Sequence, residues 1–149
     1  MFEHLDELYR EIILEHFKNP THNGELADAQ VKVIGANPLC GDEITFHLKI
    51  DGERIVGVRF KGKGCAISQA TASMFSSQLE GKTIREAYSL IEAMVNLMRG
   101  QDLNKDIDLG DLESLAGVRK FPVRVKCAAL SWNVVEQGLQ EYQKRMLAG

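Results

Sequence analysis

The pattern of the chain predicts a fold of both helices and strands, and three observations predict it. A helical apolar periodicity opens the sequence, three short β-rich segments follow one another, and the remaining half returns to helical spacing. With 149 residues, one domain over 1–149 is expected, large enough for a sizeable core without staples. The hydrophobic fraction of 44% and charged fraction of 26% are those of a soluble globular chain. A net charge of −3 argues against nonspecific binding to nucleic acid or to an anionic membrane. No apolar run approaches membrane-spanning length, and the acidic start around Glu3 and Asp6 lacks a signal peptide's basic opening, so a cytoplasmic protein is expected. Three cysteines are too few, and odd in number, for a disulfide framework; thiol, metal or catalytic roles remain.

The elements follow in order. Residues 3–17 place Leu5, Leu8, Ile12 and Tyr9, Ile13, Phe17 at helical spacing, and Asn19-Pro20 ends that helix. His16 reads as a packed or surface residue. Residues 20–28 form a polar loop turning at Asn23-Gly24, with His22 expected in solvent. Strands are expected over 29–36, 44–50 and 54–60, the last two joined by a hairpin turn at Asp51-Gly52. His47 alternates with Phe46 and Leu48 and so faces the outer side of its strand. Between the first two strands, Pro38 and Gly41 favour a loop that presents Cys40 and Asp42.

Gly62 and Gly64 are expected to break the third strand, and a helix then runs from Ala66 until Gly81. Cys65 therefore stands at a helix start, where free N–H groups and the helix dipole favour a thiolate. Gly57, Gly62 and Lys63 match the opening of a phosphate-binding loop, but Gly64 stands where the magnesium-holding Ser or Thr belongs, and Gly57 lies within a strand. Thr83 and Glu86 form a capping box for a helix with Ile84, Ala87, Tyr88, Ile91, Val95 and Met98 on one face, closed by Gly100. Residues 101–120 are acidic and mixed, with a short helix over 112–116. Phe121-Pro122 restarts the chain. The last helix is expected over 126–146, with Ala128, Trp132, Val135, Leu139, Tyr142 and Met146 facing the core, Gly138 as an interruption, and Cys127 in the first turn.

All three cysteines thus fall at element ends, whereas small buried cysteines usually sit inside elements. Three thiolates with Asp42 supply four ligands, the number a tetrahedral zinc needs, although the spacing lacks a Cys-x-x-Cys pair and does not by itself establish a metal site.

Three segments carry a resemblance: Asn37-Pro38-Leu39-Cys40-Gly41-Asp42, Gly62-Lys63-Gly64-Cys65-Ala66-Ile67-Ser68 and Arg124-Val125-Lys126-Cys127-Ala128. Together they resemble the SufU/IscU family of iron–sulfur cluster assembly proteins (NifU N-terminal-like), in the same order and over nearly the whole chain. The resemblance implies an α+β domain, a three-stranded antiparallel sheet packed against several helices, with a metal site at one end held by Cys40, Asp42, Cys65 and Cys127. Two departures favour the SufU branch. The scaffold branch has His directly before the third cysteine, where this chain has Lys126, which has no lone pair to give a metal when protonated. It also carries a chaperone-read Leu-Pro-Pro-Val-Lys motif, replaced here by Phe121-Pro122-Val123-Arg124-Val125-Lys126. The function implied is a zinc-dependent sulfurtransferase that accepts persulfide sulfur from a cysteine desulfurase, a pyridoxal-phosphate enzyme, and passes it to a downstream iron–sulfur scaffold. Cys40 is expected to accept the sulfur and Arg124, with Lys126, to steady its charge. The alternative is a scaffold on which an iron–sulfur cluster is assembled at the same residues. Neither nucleic acid nor membrane is an expected partner.

Overall fold

The computed structural model describes residues 7–102 and 105–148. Helix α1 (Glu7–Lys18) comes first; the part of the expected helix before residue 7 lies outside the described residues. Three strands follow, β1 (Val31–Asn37), β2 (Asp42–Asp51) and β3 (Arg54–Lys63), then α2 (Ala66–Leu79) and α3 (Ile84–Met98). A 3-10 helix (Gly110–Lys120) leads into the 27-residue α4 (Pro122–Ala148). The strands make an antiparallel sheet in the order β1-β2-β3, as expected. The register aligns apolar rows across it: Val33, Phe46 and Phe60 in one, Val31, Leu48 and Val58 in the next. All six are buried, and they form the sheet's contribution to a core closed by α2, α3 and α4. No helix is long and apolar enough, among the described residues, to cross a membrane.

Two glycines set how closely α4 lies on the sheet. A Cβ on Gly138 would stand 2.8 Å from Val31 Cγ1 and 2.9 Å from Val33 Cγ1, and one on Gly35 would strike Val134. Gly138 is thus a contact residue, not an interruption, and α4 runs unbroken through it.

Several expectations are corrected. β3 continues to Lys63, with Gly62 paired to Ile44 inside the sheet; a Cβ at Gly62 would meet the Glu43 carbonyl. Only Gly64, at φ +150°, leaves the strand region. The hairpin turn is centred on Gly52 and Glu53, since Asp51 pairs with Arg54. In α3 the buried residues include Leu90, Met94 and Leu97, while Tyr88, Val95 and Met98 lie only partly inside. Met146 is 63% exposed because α4 outruns the core. His22 is half-buried, with its Nε2 3.4 Å from Glu80 Oε1, and is not solvated. His47 does face outward but is covered by the 20–30 loop, accepting the Leu26 N–H at Nδ1 over 3.1 Å. His16 bridges three elements, with Nδ1 2.7 Å from Ser73 Oγ in α2 and Nε2 2.8 Å from Asp111 Oδ2 in the 3-10 helix.

Candidate metal centre

The three cysteine-bearing segments meet at one end of the sheet. Asn37 and Asp42 are the last pair of the β1–β2 ladder, so residues 38–41 form a four-residue hairpin loop with Cys40 near its tip. Gly41 turns the chain at φ +68°, a left-handed conformation that glycine adopts without strain. Asn37 organises the entry: its Oδ1 accepts the Leu39 N–H at 3.3 Å, and its backbone carbonyl accepts the Cys40 N–H at 3.2 Å.

Cys65 is the N-cap of α2, its sulfur accepting the Ser68 N–H at 3.5 Å. The expectation of a helix start holds for this residue. Cys127 does not stand in a first turn, because α4 begins at Pro122. Proline is suited to the first helical position, where its missing N–H is not needed. The Cys127 side chain is fully buried, and its sulfur lies 3.5 Å from the Val123 carbonyl one turn back.

The Sγ atoms of Cys40 and Cys127 and a carboxylate oxygen of Asp42 all lie within 4.8 Å of one another. The two sulfurs are 2.8 Å apart. Cys65 is outside this close set but near enough to interact with the Cys127 thiol. Asp42 is 2% exposed, and its two oxygens are used differently. Oδ1 accepts the Cys65 N–H at 2.8 Å and the Ser68 hydroxyl at 3.1 Å, tying the end of β2 to the start of α2. Oδ2 is buried with no hydrogen-bond partner among the described residues. Gly64 makes this closeness possible, since a Cβ there would run into Asp42 Oδ1 and lie 2.7 Å from Ser68 Oγ.

Burial, and then the neighbouring thiols and carboxylate, push the Cys127 pKa well above the ordinary thiol range. In the protein alone this sulfur is protonated; a bound cation would reverse the sign of that preference. Arg124, one turn before it on α4, brings Nη1 to 3.9 Å from Cys40 Sγ and 4.0 Å from Cys127 Sγ. Its contact with Cys127 raises the guanidinium pKa further, so its charge is permanent. Lys126 is exposed, and Lys61 turns away toward Glu25 at 3.7 Å. Asn37 and Ser68 carry no role in the sequence reading, yet both serve the centre. Asn37 Nδ2 also donates toward Cys127 Sγ at 3.8 Å, and the only signal for it is an Asn placed directly before Pro38.

A buried carboxylate oxygen without a hydrogen-bond partner, the two facing sulfurs of Cys40 and Cys127 and the nearby Cys65 form a donor set suited to a cation. Three thiolates and one carboxylate fit tetrahedral zinc. The model of the NifU-like N terminal domain matches residues 8–126. The chain belongs to that family. Among its relatives is the zinc-dependent sulfurtransferase SufU of Bacillus subtilis (strain 168), 45% identical over 135 residues that cover 91% of either protein. The iron–sulfur cluster assembly scaffold protein IscU of Streptococcus pyogenes serotype M1 is 37% identical over 91% of this chain and 85% of its own. A crystal structure of a candidate iron–sulfur cluster assembly scaffold for the SUF system of Fervidobacterium islandicum AW-1 superposes with a TM-score of 0.82. It is 36% identical and covers 87% of this chain and 94% of its own. The family likeness extends through all three cysteine segments except the last residues, since the matched region stops one residue before Cys127.

Proposed function

We propose that this protein, acting as one domain over residues 1–149 in the cytoplasm, is a zinc-dependent sulfurtransferase of iron–sulfur cluster assembly. It accepts sulfur from a persulfide on a cysteine desulfurase and hands it to a downstream scaffold. The observation that carries this reading is Asp42: its Oδ2 is buried without a hydrogen-bond partner, and one of its carboxylate oxygens lies within 4.8 Å of the Cys40 and Cys127 sulfurs. Leaving such a group unmatched costs about 1–3 kcal/mol, more for a charge, so an arrangement that keeps it is one that expects a cation. The 45% identity to a zinc-dependent sulfurtransferase supports the same choice.

Zinc held by Cys40, Asp42, Cys65 and Cys127 would keep these thiols ionised at neutral pH. Cys40 is the acceptor. It is half-buried and lies in a four-residue loop, whereas Cys127 is fully buried in α4 and Cys65 caps α2. Its sulfur attacks the terminal sulfur of the partner's persulfide. A bond forms between Cys40 Sγ and that sulfur, the sulfur–sulfur bond to the partner breaks, and the electron pair leaves on the partner's cysteine thiolate. The exchange needs no outside oxidant or reductant. Arg124, 3.9 Å from Cys40 Sγ, steadies the negative charge before and after the transfer.

The scaffold reading has the 37% identity to an IscU protein behind it. Lys126, exposed and charged, disfavours it as a cluster ligand. Purified protein separates the two: colourless with bound zinc for transfer, brown with iron and acid-labile sulfide for a scaffold. The direct test mixes protein, desulfurase and cysteine, alkylates, and maps the added sulfur by peptide mass spectrometry. It should be found on Cys40, and Cys40→Ser should fold normally yet accept none. Sulfur on Cys65 or Cys127 with Cys40 unmodified would overturn the assignment.

A further inference from the structure

Cys127 is aimed at the proposed sulfur acceptor itself. Its thiol donates toward Cys40 Sγ across 2.8 Å, with Arg124 Nη1 at 3.9 and 4.0 Å from the two sulfurs. A disulfide bond is about 2.05 Å long, so the sulfurs need to close by less than about 1 Å. Cys127 is anchored in a helix packed on the sheet, while Cys40 lies on a short loop that can supply the movement. We propose that, whenever its sulfur is free of metal, Cys127 is the resolving thiol for a persulfide on Cys40, discharging it as hydrogen sulfide. This rests on the reading of Cys40 as sulfur acceptor.

In this step the anionic terminal sulfur of the persulfide takes the proton of the buried Cys127 thiol, and the Cys127 Sγ so freed attacks Cys40 Sγ, the inner sulfur of the persulfide. The Cys40–Cys127 bond forms and the bond from Cys40 Sγ to the terminal sulfur breaks. The electron pair and the Cys127 proton both depart with the terminal sulfur, which leaves as hydrogen sulfide. The two cysteines are oxidised to a disulfide and the sulfane sulfur is reduced to sulfide, so no external oxidant enters the balance. Arg124 Nη1, 3.9 and 4.0 Å from the two sulfurs, lies beside the Cys40–Cys127 bond that forms. Cys127 cannot perform this attack while engaged on a metal, so metal occupancy decides whether the chain carries its sulfur or discharges it. The disulfide also removes two of the four donors, and a discharged chain cannot regain zinc until it is reduced.

The experiment loads Cys40 in the zinc-bound protein, either through the desulfurase or, bypassing it, with an organic trisulfide. Donor and reductants are then removed, and the Cys40 persulfide is verified by peptide mass spectrometry. One half of the sample is treated with a zinc chelator. That half should release its persulfide sulfur stoichiometrically as sulfide and yield a Cys40–Cys127 linked peptide pair. The untreated half should keep the persulfide. Metal-free Cys127→Ser should release sulfide on the order of 100-fold more slowly, since it loses an intramolecular nucleophile. Persistence of the Cys40 persulfide after chelation overturns the proposal. So does a Cys40–Cys65 disulfide, the product an unfolded chain would favour because it closes a much shorter loop. Failure of the desulfurase to load Cys40, with normal discharge after trisulfide loading, would instead count against the proposed function alone.

Discussion

The two ends of β2 are built for different purposes. At one end Asp51 and Arg54 are joined by only Gly52 and Glu53, and the neighbouring backbone is tied down on all sides. The Glu53 carbonyl accepts the Ile84 N–H at 2.8 Å, Ile55 donates to Lys82 O at 2.8 Å, and Gly81 donates to Ile55 O at 2.7 Å. At the other end a four-residue loop separates Asn37 from Asp42, a buried carboxylate oxygen goes without a donor, and a glycine is wedged against that carboxylate. The sheet itself is the same at both ends. What differs is whether the chain satisfies its own polar groups or leaves them for something else. An end that closes its hydrogen bonds internally is structural; one that stops short at buried, charge-bearing atoms is poised to bind.

The largest test of that contrast is removal of the metal. Zinc at a thousandfold excess over its dissociation constant stabilises the folded state by about 4 kcal/mol. For a chain of this size that corresponds to a fall in melting temperature of roughly 8–16 °C on chelation. Amide exchange should quicken first around Cys40, Gly64 and Cys127, and last around Ile55 and Ile84. A melting curve unchanged by complete zinc removal would erase the distinction between the two ends.

A pair of glycines sharpens it. Gly52 has φ +63° with open space where a Cβ would go, so Gly52→Ala carries only backbone strain of about 1 kcal/mol. Gly64 has φ +150° and its Cβ would collide with Asp42 and Ser68, so Gly64→Ala should cost about 3 kcal/mol or more. Urea denaturation of the metal-free proteins measures both. Gly64→Ala should also weaken zinc binding and Gly52→Ala should leave it unchanged. Equal losses at the two positions would show that the crowding at Asp42 is not what holds the centre together.

The quiet end was the more legible in the sequence. Asp51-Gly52, Gly81 and the Thr83/Glu86 pair are local signals, each contained within a few residues, and the turn centre moved by a single position. At the sulfur end, Pro38, Gly41 and Gly64 announced loops and a helix start, and the order of the three cysteine segments carried the family. The dual use of Asp42 was not legible, because its Oδ1 partners lie on α2 and meet it only through the β2–β3 pairing. Cys127 was misplaced within its helix because Pro122 reads as a break, while it is equally suited to begin a helix. In α3, Tyr88, Val95 and Met98 share one apolar stripe and Leu90, Met94 and Leu97 an adjacent one. Periodicity identifies such a helix without choosing which stripe faces the core.

The smallest expected effect lies in the capping box beside the quiet end. Thr83 donates its backbone N–H to Glu86 Oε1 at 2.9 Å, and Glu86 returns its own N–H to Thr83 Oγ1 at 3.1 Å. Thr83→Ala should cost about 1 kcal/mol by orphaning the Glu86 N–H. The Thr83 backbone N–H, and next the Thr83 side chain, hold the Glu86 carboxyl below its ordinary pKa. A carboxyl so depressed stabilises the fold above its unfolded value of about 4.3, and that contribution is lost as pH falls through the folded value. Glu86→Gln keeps an acceptor oxygen but no charge, so its melting temperature should lie slightly below the parent's at pH 7 and converge with it near pH 3. Zinc content and sulfur loading should be the same in both variants as in the parent. A change in either would mean that α3 reaches the sulfur end through the sheet, and the two ends of β2 would then be one coupled unit.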